Sequence, residues 1–305
     1  MVGVADTTGA AVFSGGLDAS RIVALKTEGQ GVADYPRWGR TGVSPLQLVQ
    51  EADADLLIDT SPANLQDGQP GLACIETALA KGMHIVTANK APLVLAFARL
   101  SELAQRNGVQ LRFDATVAGG LPAVNLGQRD LAVARIERLE GVLNLTTNYI
   151  LTRMADDGLS YDEALADAQR AGHAEADPTL DVDGWDAASK LVILAQSVLG
   201  TPLSLQDMPV EGIRGVTSEM HAQAASRGER IKLLALAHRK GTGYEFSVKP
   251  TWLPAGHPLA QLRPKQMAIV YHSDISGIIA ASIVEETPVP TASAVLRDVV
   301  SIFGV

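Results

Sequence analysis

The chain is poor in several features that would narrow its class at once. It has one cysteine, Cys74, in 305 residues, so no internal disulfide can form and a reducing compartment is the simpler setting. Cys74 falls in an amphipathic stretch, Gly71–Lys81, where a buried, inert thiol is expected rather than a nucleophile. No apolar run is long enough to span a bilayer, and the N-terminus shows no basic-then-apolar signal. These absences favour a soluble, cytoplasmic protein. Basic residues are outnumbered 25 to 34, and the net charge of −9 argues against nucleic acid or an anionic membrane as a partner. His238, His257 and His272 have no ligand spacing, so no zinc site is read from them. Repeats and low-complexity tracts are missing too.

One further absence bears on fold. A dinucleotide-binding fold opens with a strand, a Gly-x-Gly-x-x-Gly turn and a helix, the glycines letting backbone approach a pyrophosphate. No such run occurs here, and neither Gly15-Gly16 nor Gly29/Gly31 follows a strand in the required way. The chain is expected to begin at what such a fold counts as its second strand. The loss of a central strand should leave an apolar gap flanked by two unpaired strand edges. Two explanations stand: a late start or truncated product of an enzyme gene, or a diverged relict that binds no cofactor. The first predicts weak NAD binding by the chain as it stands.

What is present describes a globular α/β protein. Hydrophobic residues make up 47% and charged residues 19%, enough for a sizeable core and against disorder. Strand-like and helix-like segments alternate through the first hundred residues: strands at Met1–Ala5, Leu56–Asp59, His84–Ala88 and Val109–Phe113, helices at Gly71–Lys81 and Pro92–Arg106. That alternation is the signature of a parallel sheet. From Arg135 the pattern changes. Strands are expected at Ile136–Leu143, Ile231–His238, Tyr244–Val248 and Met267–His272. Helices are expected at Thr147–Ala155, from the capping box at Ser160 to Arg170, at Asp186–Leu199 and at Thr291–Ile302. The predicted class is α/β, an incomplete Rossmann-like domain joined to an α+β domain with an antiparallel-leaning sheet.

The most informative stretch runs from Gly172 to Lys190 and carries Glu175, Asp177, Asp181 and Asp186. Asp186 and Lys190 are spaced i, i+4 in a predicted helix and so share one face. So many carboxylates around one lysine suit a small zwitterion with an ammonium group, and a lysine held beside it could move a proton. The alternative is a solvated acidic loop with one weak helix-surface ion pair.

Five motifs, in order, carry a resemblance: Thr87-Ala-Asn-Lys90, Asp114-Ala-Thr-Val-Ala-Gly-Gly-Leu-Pro122, Gly141 to Ile150, the acidic run, and Val210-Glu-Gly-Ile-Arg214. Over nearly its whole length the chain resembles the short homoserine dehydrogenases that lack a regulatory extension. The resemblance implies reversible NAD(P)-dependent reduction of L-aspartate 4-semialdehyde to L-homoserine. It implies a dinucleotide domain over 1–134, completed by 286–305, and a substrate and homodimerisation domain over 135–285. Lys190, with Asp186, would exchange a proton with the substrate oxygen, and Lys90 would stabilise the developing oxyanion. Glu175 and Asp181, with Asp177 and Thr146, would bind substrate. Thr60, Ser61, Ala88 and Lys90 would meet the cofactor. Asp6, at the end of the first strand, would accept from a ribose hydroxyl and so favour NAD over NADP, or else form a turn in Asp-Thr-Thr-Gly. A sodium-type site is implied at Asp114 with the carbonyls of Val117, Gly119 and Leu121, where the family often has Glu in place of Asp114. Two further departures are His173 for a usual Tyr, and Leu145 where the family has Gly, which adds bulk and removes access to positive φ. Aspartate-semialdehyde dehydrogenase, a related architecture, needs a nucleophilic cysteine, and Cys74 lies in the wrong kind of segment.

Overall fold

The structure, a computed structural model, describes residues 1–304, and the chain divides into two compact units, Met1–Arg112 with Val299–Val305, and Phe113–Asp298. In the first unit, β1 (Gly3–Asp6) turns through Thr7-Thr8 into β2 (Gly9–Val12), then α1 (Ala19–Thr27), β3 (Gly39–Thr41) and α2 (Pro45–Glu51) follow. Asp18 caps α1 by accepting from the Ser20 N–H, and Ser44 and Gln47 form a reciprocal capping box at α2, whose first residue is Pro45. The remainder alternates: β4 (Leu56–Asp59), α3 (Gly71–Ala80), β5 (His84–Thr87), α4 (Lys90–Arg106) and β6 (Leu111–Arg112).

The expected parallel sheet is present as β4-β5-β6, but β1 is not part of it. It belongs instead to an antiparallel sheet β1-β2-β3, because Asp-Thr-Thr-Gly makes a two-residue hairpin turn rather than leading straight to a crossover helix. β1 and β4 each stand at the end of their sheet, and β4 presents Ile58 with 45% of its surface exposed.

The second unit contains α5 (Ala123–Asn125), β7 (Ile136–Val142), α6 (Leu145–Asp157), α7 (Tyr161–Arg170), α8 (Thr179–Val182), α9 (Trp185–Ser197) and α10 (Ser218–Ser226). Then come β8 (Glu229–Lys240), β9 (Gly243–Pro254), β10 (Gln266–Ser273) and β11 (Ile278–Val284), and the last helix, α11 (Val289–Phe303), belongs to this unit as far as Asp298 and to the first from Val299. Its five strands form one sheet in the order β11-β10-β7-β8-β9, antiparallel at every pairing. Alternate residues on one face, including Val142, Leu234 and Val270, pack with Leu253, Leu259 and Leu262, the period of two that a half-covered sheet requires. The unit begins at Phe113, earlier than the boundary expected at 134. The segment after it is tied into the second unit: Tyr271 Oη donates to the Ala123 carbonyl (2.8 Å) and Gln128 Nε2 to that of Ser197 (2.9 Å).

Between α6 and β8 lies an unusual buried cation. Lys232 is 2% exposed, and its ammonium donates to Asn148 Oδ1 (2.7 Å), Thr152 Oγ1 (2.8 Å) and the Leu262 carbonyl (3.1 Å). Asn148 Nδ2 in turn donates to the carbonyls of Arg263 and Gln266, so the network fastens α6 to the sheet and to the loop after β9. All three acceptors are neutral. Burial, with the nearby Arg230 charge, pulls Lys232 from 10.5 down to about 7, against a small opposing effect of Asp156. The unfolded chain therefore binds more protons than the folded one between about pH 7 and 10.5, and stability rises with pH across that window. Wild-type stability relative to Lys232→Met should increase by about 2 kcal/mol from pH 7 to pH 9, read from urea melts at both values. A difference that stays flat would show that Lys232 keeps its proton throughout.

Candidate active site

The first unit gathers polar side chains where β4 and β5 end, the carboxyl edge at which open parallel sheets bind ligands. Asp59 closes β4. Its Oδ1 accepts from the Ser61 N–H (3.0 Å) and hydroxyl (2.6 Å), and its Oδ2 from Thr87 Oγ1 (3.3 Å). Asn89 Nδ2 donates to Ser61 Oγ (3.1 Å), while Asn89 Oδ1 caps α4 by accepting from the Ala91 N–H. Gly71 is obligatory beside them, since a Cβ there would lie 2.5 Å from Asn89 Nδ2 and 2.9 Å from Asp59 Oδ2. The Ala88 N–H continues the parallel ladder onto the Asp59 carbonyl. Thr60 is exposed, and Lys90 is half-buried at the first position of α4. A cation at a helix N-terminus is the disfavoured charge, so helix stability does not account for Lys90. The sequence motifs point to Thr60, Ser61, Ala88 and Lys90 but not to Asp59 and Asn89, which fix Ser61. A strand-ending Asp and a helix-capping Asn were the available signals.

Asp6 is differently placed. Its Oδ1 accepts from Thr8 N (2.9 Å) and Thr8 Oγ1 (2.6 Å), and its Oδ2 from Lys26 Nζ (2.7 Å) and Val32 N (3.1 Å). Burial pushes this carboxyl up, but the donors Lys26, Thr8 and Val32 outweigh it and hold it well below the usual carboxylate range. A carboxylate offers about four acceptor positions, and four donors occupy them. Asp6 thus organises the β1–β2 hairpin, the turn-forming role, rather than presenting a free acceptor to a ribose.

The turn from Asp114 to Leu121 lies in the second unit and does not fit a cation at Asp114. That carboxylate accepts from the N–H groups of Val124 (3.0 Å) and Asn125 (3.1 Å) through Oδ1, and from Arg297 Nη2 (2.6 Å) through Oδ2. A guanidinium already supplies the compensating positive charge and would repel a metal ion. Gly119, at φ +59°, faces the Glu285 carboxylate so closely that a Cβ would fall 2.2 Å from Glu285 Oε2. Glycine is a backbone requirement at that position. Among the described residues no group of three or more His, Cys, Asp or Glu is disposed to hold a metal ion. His257 and His272 do converge, on the buried Glu140 (3.4 and 2.9 Å), which also pairs with Arg138.

The acidic run divides in two. Glu175 and Asp177 are exposed, and Asp177 Oδ1 accepts from the Thr179 N–H (3.1 Å) at the start of α8. Asp183 pairs with Arg214. Asp181 and Asp186 turn the other way, towards Lys190. The lysine ammonium donates to Asp186 Oδ2 (2.7 Å) and to the Leu143 carbonyl (2.6 Å) at the end of β7. Asn144 Nδ2 donates to both carboxylates, Asp181 Oδ1 at 2.7 Å and Asp186 Oδ2 at 2.8 Å. The side chains of Lys190 and Asp186 are 12% and 9% exposed, so the pair is sheltered yet reachable. Burial, together with repulsion from Asp186, raises the Asp181 carboxyl above its ordinary value, against donation by Thr146 and Asn144 and the Lys190 charge. Thr146 Oγ1 lies between that carboxylate and the His173 carbonyl, which it meets at 2.8 Å. Its single proton can serve one of them at a time.

Leu145 is the first residue of α6, half-buried, and among the described residues positive φ is confined to glycines and to Arg37 and Ala118. The leucine therefore loses nothing by lacking glycine's conformational freedom. The His173 ring rests on Tyr149, 4.7 Å between centroids, and burial, with Lys265, lowers its pKa.

Comparison with known proteins shows the family. A sequence model of the family described as homoserine dehydrogenase matches residues 122–300. The homoserine dehydrogenase of Methanocaldococcus jannaschii is 36% identical, covering 100% of this chain and 89% of its own. The NAD(+)-dependent homoserine dehydrogenase of Pseudomonas canavaninivorans is 34% identical over 99% and 86%. A hyperthermophilic archaeal homoserine dehydrogenase solved in complex with NADPH superposes with a TM-score of 0.85 at 26% identity, covering 99% of this chain and 87% of that one. With the parallel-sheet edge in one unit and the Asp181–Asp186–Lys190 cluster in the other, the chain belongs to the homoserine dehydrogenase family.

Proposed function

We propose that the chain interconverts L-homoserine and L-aspartate 4-semialdehyde with a nicotinamide dinucleotide, NAD or NADP. The observation that carries this reading is Lys190, held by Asp186 and the Leu143 carbonyl with Asp181 close by. An ammonium has three protons. Two are committed to those partners, and the third is the one a substrate oxygen would meet. In the reductive direction Lys190 Nζ gives a proton to the C4 carbonyl oxygen as that carbon is reduced. In the oxidative direction the amine takes the hydroxyl proton back. The nicotinamide, when bound, supplies or accepts the hydride at C4. The ends of β4 and β5 fit such a group, since Asp59 and Asn89 prefix the Ser61 hydroxyl at the sheet edge and leave Thr60 exposed there. Lys90, at the same edge, suits the cofactor.

Asp181 is the carboxylate suited to the substrate ammonium, being half-buried and already beside the lysine. Glu175 and Asp177, exposed on the preceding loop, add negative potential that favours the approach of a cationic group. The first-turn N–H groups of α6, at Leu145 and Thr146, suit the substrate carboxylate. The setting we assign is the cytoplasm. Cys74 is buried, and burial with the Asp59 charge pushes its thiol up to about 11, which makes it inert. No helix among the described residues is long and apolar enough to cross a membrane.

Two chains would associate through the sheet of the second unit. Ile278 and Val284 are 66% and 54% exposed and point to the same side of β11, six residues apart on a period of two. Exposed apolar residues aligned on a sheet face are the mark of an interaction surface. Ile278→Lys should shift sedimentation equilibrium from dimer to monomer at micromolar concentration, whereas a wild type that sediments as a monomer would remove the assembly altogether.

Lys190→Ala should lower kcat for homoserine oxidation by about 10²–10⁴ while leaving NAD(P) affinity within about twofold, because Lys190 lies outside the unit that carries the cofactor edge. Steady-state kinetics combined with cofactor titration checks both halves. A variant that keeps more than half the wild-type rate would take Lys190 out of the mechanism.

A further inference from the structure

Asn144 uses all of its side-chain hydrogen-bonding capacity at the centre of the cluster. Its two amide protons go to different carboxylates, Asp181 Oδ1 (2.7 Å) and Asp186 Oδ2 (2.8 Å). Its Oδ1 accepts from the Thr147 N–H (2.8 Å) and Thr147 Oγ1 (2.9 Å). Asn144 is 5% exposed and its amide cannot flip, because a reversed amide would aim its protons at the Thr147 N–H and its oxygen at two carboxylates.

An ordinary helix cap needs only the acceptor half of this arrangement. The donor half does something separate. Asp181 and Asp186 repel one another, and two like charges brought together without a donor between them move apart or take up a proton. The position of Asn144 is itself fixed by the step from β7 into α6, and the preceding residue, Leu143, holds Lys190 through its carbonyl. Two consecutive residues thus grip the lysine and both of its acidic neighbours from one strand end.

We propose that Asn144 is a positioning residue for the reaction: it bridges Asp181 and Asp186 so that both remain set around Lys190. This inference rests on the proposed role of that cluster in binding and oxidising homoserine. Asn144 touches no reacting atom in this arrangement. It acts through the two carboxylates, keeping Asp186 aligned on the lysine and Asp181 ionised and available to an ammonium. The charged groups facing it are Asp181, Asp186 and Lys190, with the His173 carbonyl reached only through Thr146.

Asn144→Ser separates the two roles. Serine is as good an N-cap as asparagine, but its hydroxyl is too short to reach both carboxylates. The variant should keep wild-type Tm within a few degrees, lose about ten- to a hundredfold in kcat/KM for homoserine, and move the acid limb of its pH profile to higher pH, since Asp181 loses a donor that favours its charged form. Asn144→Asp also keeps the cap. Its carboxylate should repel the pair at neutral pH and donate to it once protonated, so this variant recovers towards wild-type kcat/KM as the pH falls. A cap without a positioning role predicts wild-type kcat/KM and an unshifted acid limb in Asn144→Ser, and that result overturns the inference. Carboxyl-carbon NMR titration of Asp181 in the ligand-free protein gives a readout independent of turnover. If wild type neither binds nor oxidises homoserine, the functional reading fails. The inference still stands or falls on whether Asp181 titrates at higher pH in Asn144→Ser than in wild type.

Discussion

The clasp at the end of β7 is the constraint from which the rest of the second unit follows. Two carboxylates and an ammonium lie close together in a sheltered place, where unpaired charge is costly. The Leu143 carbonyl and the Asn144 amide compensate them, at the junction where the strand becomes α6. The strand must therefore end where it does, and α6 must start at Leu145, directly after its cap. β7 is the central strand of the five, paired to β10 on one side and β8 on the other, so its end cannot drift. The lysine proposed as the proton carrier stands on α9 and is held from a rigid strand end, which keeps its geometry better than a loop would. The exposed half of the acidic run, which carries no such support, is the part left on a loop.

The same rule is visible at the other buried charges. Glu140, also on β7, collects Arg138, His257 and His272. His257 Nδ1 accepts from the Leu259 N–H, which leaves Nε2 as the protonated nitrogen facing Glu140. That bond carries the loop after β9 onto the sheet, where Leu259 and Leu262 complete the apolar cluster. Asp114 does the equivalent work for the turn leading to α5, with Arg297 from the last helix as its counter-charge. In each case a buried acid draws in a segment remote in sequence.

How much of this was legible depended on whether the partner lay nearby in sequence. The Asp186–Lys190 pair did, at i, i+4, and so did the Ser160 capping box and the strand–helix alternation around His84–Thr87. Asp114 did not: its cation is 183 positions away, and an acid ahead of a glycine turn looks the same whether it awaits a metal or an arginine. The start of α6 was read two residues late because Thr146 and Thr147 are β-branched and poor helix formers, which hid Asn144 as a cap. β11 went unread because Ala280, Ala281 and Ser282 blunt its alternation. Asp6 shows the reverse case. Local turn chemistry in Asp-Thr-Thr-Gly was the better guide, and the fold-level analogy the weaker one.

Two lysines of the second unit, the buried Lys232 and the half-buried Lys190, show why composition alone cannot assign a proton carrier. Lys232 and Lys190 each reach three or fewer partners at hydrogen-bond distance, and each sits against α6 or its cap. Lys232 has only neutral oxygens around it, and burial brings its pKa down to about 7, a value that on its own would suit acid–base work near neutrality. It is nevertheless 2% exposed, enclosed by the Asn148 network, with no opening through which a substrate oxygen could come within the roughly 3 Å that proton transfer needs. Lys190 has a carboxylate at 2.7 Å and a side chain 12% exposed. Access is the ground on which we propose Lys190 rather than Lys232. A perturbed pKa marks a candidate only when a reacting atom can reach it, and here the reachable lysine is the one that the strand end and its asparagine hold in place.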